Sequence, residues 1–141
     1  PNGGRDEEHF AFKLRYYDKF LSYMKILEKK YTNVIFSGDL NVAHREIDIA
    51  RPKENANQIG FVPVERAWVD KVIEKGFINK EKVMYSWWDQ KSGARARNVG
   101  WRIDYIFVSS SLKDKYKNAN ILNDFLGSDH APVVVECKLH N

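Results

Sequence analysis

Two short segments combine carboxylate, amide and imidazole side chains of the kind that act on phosphate esters. The first, Gly38-Asp39-Leu40-Asn41, follows the apolar run 34–36 after a single serine, Ser37. Side chains two residues apart in a strand point to the same face, which would place a hard oxygen ligand or base, Asp39, beside the hydrogen-bonding amide of Asn41. An Asx turn favours the same residue types and is the alternative interpretation.

The second segment, Gly127-Ser128-Asp129-His130-Ala131-Pro132, leads into the last apolar run of the chain. Asp129 could supply a carboxylate to a divalent cation. His130 could donate to a phosphoryl oxygen or transfer a proton. A surface turn with a histidine that has no chemical role is the alternative.

A third acid, Asp104, lies inside the most apolar predicted strand, 101–108. A buried carboxylate is costly unless it is paired, so a partner is expected. Arg102, two residues away on the same face, is one candidate. His130 is the other, because an aspartate that fixes the tautomer of an imidazole is a recurrent catalytic pairing. The sequence leaves both open.

The stretch 87–102 is basic and is flanked by tryptophans. Small residues interleaved with Arg and Lys would let this loop approach a phosphate backbone, and we predict DNA contacts by Arg95, Arg97 and Asn98. The flanking Trp rings could wall a pocket for an extrahelical sugar or base. The alternative is a solvated hairpin anchored by core tryptophans.

Apolar periodicity places these segments on an α/β scaffold. It predicts a helix over 8–30 and a second helix over 63–75 with Trp68, Val72 and Ile73 turned inward. Strands are predicted over 34–36, 83–88, 101–108 and 133–139, with the last closing the sheet. Alternating helices and strands without a linker indicate one layered α/β domain over residues 1–141.

Composition narrows the partners and the compartment. The 141 residues carry a net charge of +4 with a pI near 9.1, which favours a polyanionic partner. A single cysteine excludes a disulfide within the chain, and neither a long apolar stretch nor a signal peptide is present. We therefore expect no membrane association and a cytoplasmic or nuclear location rather than secretion. The first residues read as a turn without an initiating Met, as expected of a fragment.

Taken in order, the motifs of this chain resemble the exonuclease III branch of the endonuclease/exonuclease/phosphatase superfamily, whose members include abasic-site endonucleases. The motifs are Pro1-Asn2-Gly3-Gly4-Arg5, Gly38-Asp39-Leu40-Asn41-Val42-Ala43-His44, Glu46-Ile47-Asp48, Gly60-Phe61, Asn98-Val99-Gly100-Trp101-Arg102-Ile103-Asp104-Tyr105 and Gly127-Ser128-Asp129-His130-Ala131-Pro132. The resemblance implies the C-terminal half of a four-layered α/β sandwich of the DNase I type. It also implies a DNA-repair phosphodiesterase that uses Mg²⁺ or Mn²⁺ to cut duplex DNA 5′ to abasic sites, with accompanying 3′→5′ exonuclease activity.

The resemblance further assigns a role to each matching position. Asp39 would orient or deprotonate the attacking water, Asn41 would contact the scissile phosphate, and His130, oriented by Asp104, would polarise that phosphate. The remaining assignments fall into three groups: metal ligation by Asp129, Asp39 and Asn41; DNA contacts by Asn2, Arg5 and Asn55; and an abasic pocket formed by Trp87, Trp101 and Ile103.

Two departures from the family pattern bear on activity. The family's principal metal-binding Glu, a further Asn and Asp of its site and a phosphate-contacting Tyr all precede the point where this chain starts. An Asp-x-Phe-Arg segment is also absent after Gly76-Phe77-Ile78. We therefore expect the isolated chain to have little or no activity. Two rival interpretations are a related enzyme acting on a phospholipid headgroup, an inositol phosphate or RNA, and a non-catalytic DNA-binding fragment.

Overall fold

Two helices cover one face of a three-stranded antiparallel sheet in the computed structural model, which describes residues 1–4, 6–78 and 84–138. A separate two-stranded sheet follows. The elements are α1 (Glu7–Lys30), β1 (Ile35–Asp39), α2 (Pro63–Glu74), β2 (Phe77–Ile78), β3 (Asp104–Ser109), β4 (Tyr116–Ile121) and β5 (Val133–Cys137), with 3-10 turns at Glu46–Asp48, Gln90–Ser92 and Ser110–Lys115.

Both predicted helices are present, and their ends follow from local chemistry. The side chain of Asp6 caps α1 by accepting a hydrogen bond from the backbone N–H of His9 at 2.9 Å, and Pro63 opens α2 at a position that needs no N–H donor. The inward face of α2 carries Trp68, Val69 and Val72. The expectation that Ile73 points inward was wrong: its side chain remains 38% exposed, since Val69 occupies the buried stripe instead.

The core lies between the helices and the sheet. Tyr17 and Trp68 stack with ring centroids 4.1 Å apart, and Phe36 stacks on Phe107 at 5.0 Å. Each fully buried aromatic or aliphatic side chain contributes about 1.5–3 kcal/mol through removal of apolar area from water. These aromatic contacts determine how β1 and β3 pack against the two helices.

The opposite face of the same sheet is open. Ile35 is 47% exposed, Ser37 is also exposed, and Ile106 is only partly buried. Because side chains alternate along a strand, this face is the one that carries Asp39 and Asp104, which lie directly opposite each other where β1 pairs with β3. The open face therefore ends in two carboxylates.

The predicted strand over 83–88 is not formed in its described part, and residue 83 lies outside the described residues. Residues 84–88 contribute only isolated bridges, from Trp87 to Trp101 and to His130. The cause lies at Ser86. Its side-chain hydroxyl accepts hydrogen bonds from the backbone N–H groups of Ile103 and Asp104, at 3.1 Å each, whereas in a continuous pair of strands a backbone carbonyl would accept them. For the same reason the strand predicted over 101–108 begins only at Asp104.

The prediction that the last strand closes the sheet was also wrong. β5 pairs with β4, which the sequence analysis missed, and the order in the larger sheet is β1-β3-β2. The predicted strand over 133–139 ends at Cys137, and residue 139 lies outside the described residues. In the part of the chain that the structure describes, no helix is both long and apolar enough to cross a lipid bilayer.

Candidate active site

A cleft of about 520 Å³ opens at the end of the sheet where β1 stops. Half of the fourteen predicted site residues line this cleft. Its lining residues are Asn2, Lys13, Asp39, Asn41, Gln58, Ile59, Gly60, Trp87, Trp101, Ile103 and His130. The cleft therefore combines carboxylate, amide, imidazole and aromatic groups from segments far apart in sequence.

Asp39 is the last residue of β1, and a tight turn links its carboxylate to Asn41. Oδ1 of Asp39 accepts the backbone N–H of Asn41 at 2.7 Å, and Oδ2 accepts the Nδ2 group of Asn41 at 2.9 Å. Asn41 has a φ of +50°, in the left-handed region that Asn tolerates better than most residues. The Asx turn is thus present, and it is the device that aims both side chains into the cleft.

The pKa of Asp39 is raised above its ordinary value, chiefly because protein atoms around the carboxyl displace water. Asp39 is exposed as a residue and is one of the residues that line the cleft. The Asn41 N–H opposes the rise in pKa, the negative charge of Asp104 adds to it, and His130 lowers it. A carboxyl with a raised pKa is a stronger base once ionised, which suits proton transfer from water.

His130 is the partner of Asp104. Nδ1 of His130 lies 2.9 Å from Oδ2 of Asp104. Arg102 instead donates through Nε to Oδ1 of Asp48 at 2.8 Å, in an ion pair that is buried on both sides. The pairing with Asp104 favours the tautomer with the proton on Nδ1, which leaves Nε2 as the other ring nitrogen for chemistry in the cleft.

Asp129 lies next to the cleft rather than in its lining. Its Oδ2 accepts the indole N–H of Trp87 at 3.1 Å, and its Oδ1 accepts the hydroxyl of Ser128 at 3.4 Å. The hydrogen bond from Trp87 is the main reason that the pKa of Asp129 is lowered. The carboxylate is therefore ionised at neutral pH, as a ligand for a hard cation must be.

Within residues 1–4, 6–78 and 84–138, no group of three or more His, Cys, Asp or Glu side chains is arranged to hold a metal ion. Oxygen donors near the cleft include Asp39 and Asn41 in its lining and Asp129 beside it. This donor set fits Mg²⁺ in part, because Mg²⁺ is commonly bound through one or two carboxylates, with water and substrate phosphate completing its shell.

Trp87, Trp101 and Ile103 form the apolar wall. The two indole rings meet edge to face with centroids 6.4 Å apart, and Ile103 is 6% exposed. Gly60 backs this wall: its φ is +99°, and a Cβ there would lie 2.9 Å from Cζ3 of Trp101. Only glycine fits at this point without displacing the ring.

We expect Gly60→Ala to lower the free energy of unfolding by about 1–3 kcal/mol, because the strained φ and the contact with Trp101 both oppose a methyl group. Gly93→Ala is the matched control, since Gly93 also has a positive φ, +62°, but open space around its Cα. Urea unfolding monitored by Trp fluorescence measures both variants. Equal losses in the two would show that contact with Trp101 adds nothing.

Below the cleft lies a buried ion pair that the sequence analysis missed. Lys13 and Glu65 are both fully buried, and Nζ of Lys13 donates to Oε1 of Glu65 at 2.5 Å and to the carbonyl of Asn41 at 2.6 Å. Oε2 of Glu65 accepts the N–H of Gly60 at 2.5 Å. A signal was available: Lys13 lies four residues before Tyr17 on the buried stripe of α1, where a charged residue needs a partner.

The residues predicted to contact DNA do not behave alike. Asn2 lines the cleft, whereas Arg5 lies outside the described residues. Nδ2 of Asn55 donates to the carbonyls of Ala50 and Arg51, at 3.0 Å each. Arg97 and Asn98 are exposed on the loop, and Arg95 is engaged with backbone carbonyls. Contacts between these residues and DNA stay predictions.

The sequence of this chain matches a known protein family over most of its length. A model of the Endonuclease/Exonuclease/phosphatase family matches residues 3–130, which include every residue that lines the cleft except Asn2. The chain belongs to this family. The predicted resemblance to its exonuclease III branch is confirmed by relatives named as exodeoxyribonucleases and DNA repair nucleases.

Among these family members, an exodeoxyribonuclease of Bacillus subtilis is 44% identical over 140 residues, which are 94% of this chain and 55% of that protein. The DNA repair nuclease APEX1 of Danio rerio is 34% identical, over 96% of this chain and 46% of that protein. A 3′-5′ exonuclease from Neisseria meningitidis superimposes with a TM-score of 0.90 at 25% identity, covering 96% of this chain and 57% of that structure. The chain thus spans about half the length of the family members it matches.

Proposed function

We propose that this chain is the C-terminal half of a DNA-repair phosphodiesterase that hydrolyses the DNA backbone 5′ to abasic sites in the presence of Mg²⁺. The observation that carries the proposal is the convergence of Asp39, Asn41 and the paired His130 on one cleft walled by Trp87 and Trp101. The names of the relatives, exodeoxyribonuclease and DNA repair nuclease, support the same class of reaction and substrate.

In this proposal the residues of the cleft divide the work on a phosphodiester. Asp39 orients the attacking water and accepts its proton, since burial gives its carboxylate a raised pKa. Asn41 contacts the scissile phosphate. His130 acts here in its doubly protonated form: its Nδ1–H donates to Asp104, and its Nε2–H donates toward a phosphoryl oxygen, where the developing negative charge needs a partner.

The divalent cation supplies charge neutralisation at the phosphoryl oxygens when it is bound. We propose that Asp129 provides one carboxylate to it and that Asp39 and Asn41 contribute further oxygen ligands. Mn²⁺ offers a similar preference for oxygen ligands and is expected to substitute. A carboxylate from outside this chain would complete the set.

The aromatic wall accounts for the choice of an abasic sugar. Trp87, Trp101 and Ile103 offer an apolar surface on which a deoxyribose without its base can rest, whereas a sugar that carries a base is too large for such a pocket. A missing base also lowers the energy needed to turn the nucleotide out of the duplex. Asn2, Arg5 and Asn55 contact the flanking backbone in this proposal, and the net charge of +4 favours DNA.

The open face of the sheet suggests how the chain joins a larger fold. Ile35, Ser37 and Ile106 form a strand surface that α1 and α2 do not cover. We propose that a second sheet packs there, giving the four-layered α/β sandwich implied by the resemblance, with residues 1–141 as one half. The complete protein would act where chromosomal DNA is found, in a bacterial cytoplasm or a nucleus.

The test is incision of a duplex carrying one synthetic abasic site. We expect the full-length protein to cut once, 5′ to the lesion, leaving a 3′-hydroxyl, and to stop when EDTA removes the metal. The isolated chain of 141 residues should show little or no incision with the same Mg²⁺. Robust incision by that chain would refute its proposed dependence on a second half.

The same assay separates the rival functions. A related phosphodiesterase or phosphatase would turn over an RNA, an inositol phosphate or a phospholipid headgroup faster than abasic DNA. A non-catalytic module would bind the abasic duplex without cutting it at any Mg²⁺ concentration. Either result, obtained with the full-length protein, would replace the proposed activity.

A further inference from the structure

The guanidinium of Arg95 is hydrogen-bonded to the loop that carries Asp129 and His130. Its Nη1 donates to the carbonyl of Ser128 at 2.8 Å, and its Nη2 donates to the carbonyls of Asn123 at 2.8 Å and Phe125 at 2.7 Å. The guanidinium also lies over the buried indole of Trp88, 4.7 Å from the ring centroid. One side chain thus connects the 87–102 stretch to three points on the neighbouring loop.

The loop between β4 and β5 has little apolar packing of its own at its tip. Residues 124–128 are exposed, and the two apolar side chains among them, Phe125 and Leu126, are 62% and 81% exposed. Gly127 has a φ of +113°, which marks a sharp change of direction just before Ser128. Polar bonds therefore determine where the loop lies.

From the other side, the segment that follows is tied to residues 86–88. The N–H of Trp88 donates to the carbonyl of Asp129 at 3.0 Å, and the N–H of Ala131 donates to the carbonyl of Ser86 at 2.7 Å. The N–H of His130 donates to the hydroxyl of Ser128 at 3.1 Å. Arg95 holds the carbonyl of that same Ser128, directly before the two site residues.

We propose that Arg95 is a positioning residue that fixes this loop so that His130 meets Asp104 and Asp129 meets Trp87. The proposal rests on the proposed phosphodiesterase function. It replaces a direct DNA contact as the role of Arg95, because both N–H groups of Nη2 and one of Nη1 are already used within the chain.

Lysine cannot take over this role, although it keeps the charge. Arginine offers several N–H donors in a fixed plane, whereas an ammonium group is a single point at the end of a flexible chain. Three carbonyls spread over residues 123–128 match a planar fork and not a point. A displacement of about 1 Å in a group that contacts the reacting atoms lowers the rate by about 100-fold.

The experiment compares Arg95→Lys with Arg15→Lys in the full-length protein. Arg15 is the matched control because it undergoes the same substitution, is exposed on α1 and does not line the cleft. We expect Arg95→Lys to lower kcat on abasic duplex by ~10- to 100-fold with an unchanged Kd for DNA. Arg15→Lys should leave kcat unchanged.

Salt dependence distinguishes positioning from phosphate contact. Arg95→Gln removes the charge, and a lost phosphate contact would make the slope of log K against log salt concentration shallower by ~0.9. We expect no change in this slope for Arg95→Gln. A shallower slope with a retained kcat would overturn the proposal, and so would a kcat for Arg95→Lys equal to that of Arg15→Lys.

A measurement that does not depend on catalysis, NMR of His130, tests the role of Arg95 separately from the proposed phosphodiesterase function. The ring proton signals of His130 at one fixed pH should shift in Arg95→Lys and stay in place in Arg15→Lys. If the unsubstituted protein does not cut abasic DNA, the proposed function fails, and these signals still decide the role of Arg95: unmoved signals overturn it. Loss of cooperative thermal unfolding in both Arg95 variants would also overturn it, because Arg95 would then support the whole fold.

Discussion

Replacing Asp39 with asparagine is expected to lower kcat for incision of abasic DNA by about 10²–10⁴-fold, the range that a general base contributes. Asparagine keeps the size of the side chain and can still accept the backbone N–H of Asn41 that closes the turn. It cannot take a proton from water. The loss should therefore appear in kcat, while Kd for the abasic duplex stays nearly unchanged.

Asp18→Asn is the matched control for this variant. Asp18 is exposed on α1 and does not line the cleft. Asp18→Asn therefore removes one negative charge, as Asp39→Asn does, but leaves the site unchanged. Single-turnover incision and a separate binding titration in EDTA distinguish rate from affinity. If Asp39→Asn cuts at a rate close to that of Asp18→Asn, Asp39 does not activate the nucleophile.

Replacing Lys13 with methionine should lower the free energy of unfolding by about 3–5 kcal/mol, because it leaves the carboxylate of Glu65 buried without its cation. Glu65→Leu should cost a similar amount by leaving the ammonium of Lys13 unpaired. The double variant should lose less than the two single losses added together, since it removes both charges. Urea unfolding of the full-length protein, carried out on the unsubstituted protein, both single variants and the double variant, measures these losses.

The control is Lys25→Met, which breaks the partly exposed pair that Lys25 forms with Glu28 on the surface of α1. Exposed pairs contribute about 0–1 kcal/mol, so this variant should remain close to the unsubstituted protein. A loss for Lys13→Met no larger than that for Lys25→Met would mean that the buried pair is not a support of the fold. Strict additivity in the double variant would mean that the two side chains act separately.

Much of the scaffold was predictable because its signals are local. The spacing of Tyr17, Leu21 and Met24 predicts α1, and Pro63 marks the start of α2. The ordered set of motifs from Asn2 to Pro132 indicated the family, although each motif alone was a weak signal. Such features depend on residues close together in sequence, where periodicity and turn preference act directly.

The elements that were missed have weak or contradictory local signals. β4 carries the polar sequence Tyr116–Ile121 and is a strand because β5 provides its hydrogen bonds. β2 has only two residues, and its pairing with β3 decides it. Residues 84–88 look like a strand, but the hydroxyl of Ser86 takes the place of a backbone acceptor. In each case a tertiary contact outweighs propensity.

The hydrogen-bond partners of the long side chains in and near the site could not be predicted from the sequence. Arg102 was as plausible a partner for Asp104 as His130, yet it binds Asp48, which is 54 positions away along the chain. Arg95 was predicted to contact DNA from its basic surroundings, and nothing in the sequence indicated that its guanidinium donates to carbonyls 28 to 33 positions away. Side-chain charge is readable from sequence, whereas the direction in which a long side chain turns depends on the folded neighbours.

The uncovered strand surface around Ile35 affects how the isolated polypeptide behaves in solution. Val134 on β5 is also 41% exposed, so the chain presents apolar strand surface to water on both of its sheets. Such surfaces favour self-association, and exposed strand edges can pair with those of other molecules. Production on its own should therefore yield oligomers or inclusion bodies, and co-expression with a covering polypeptide should restore a soluble species.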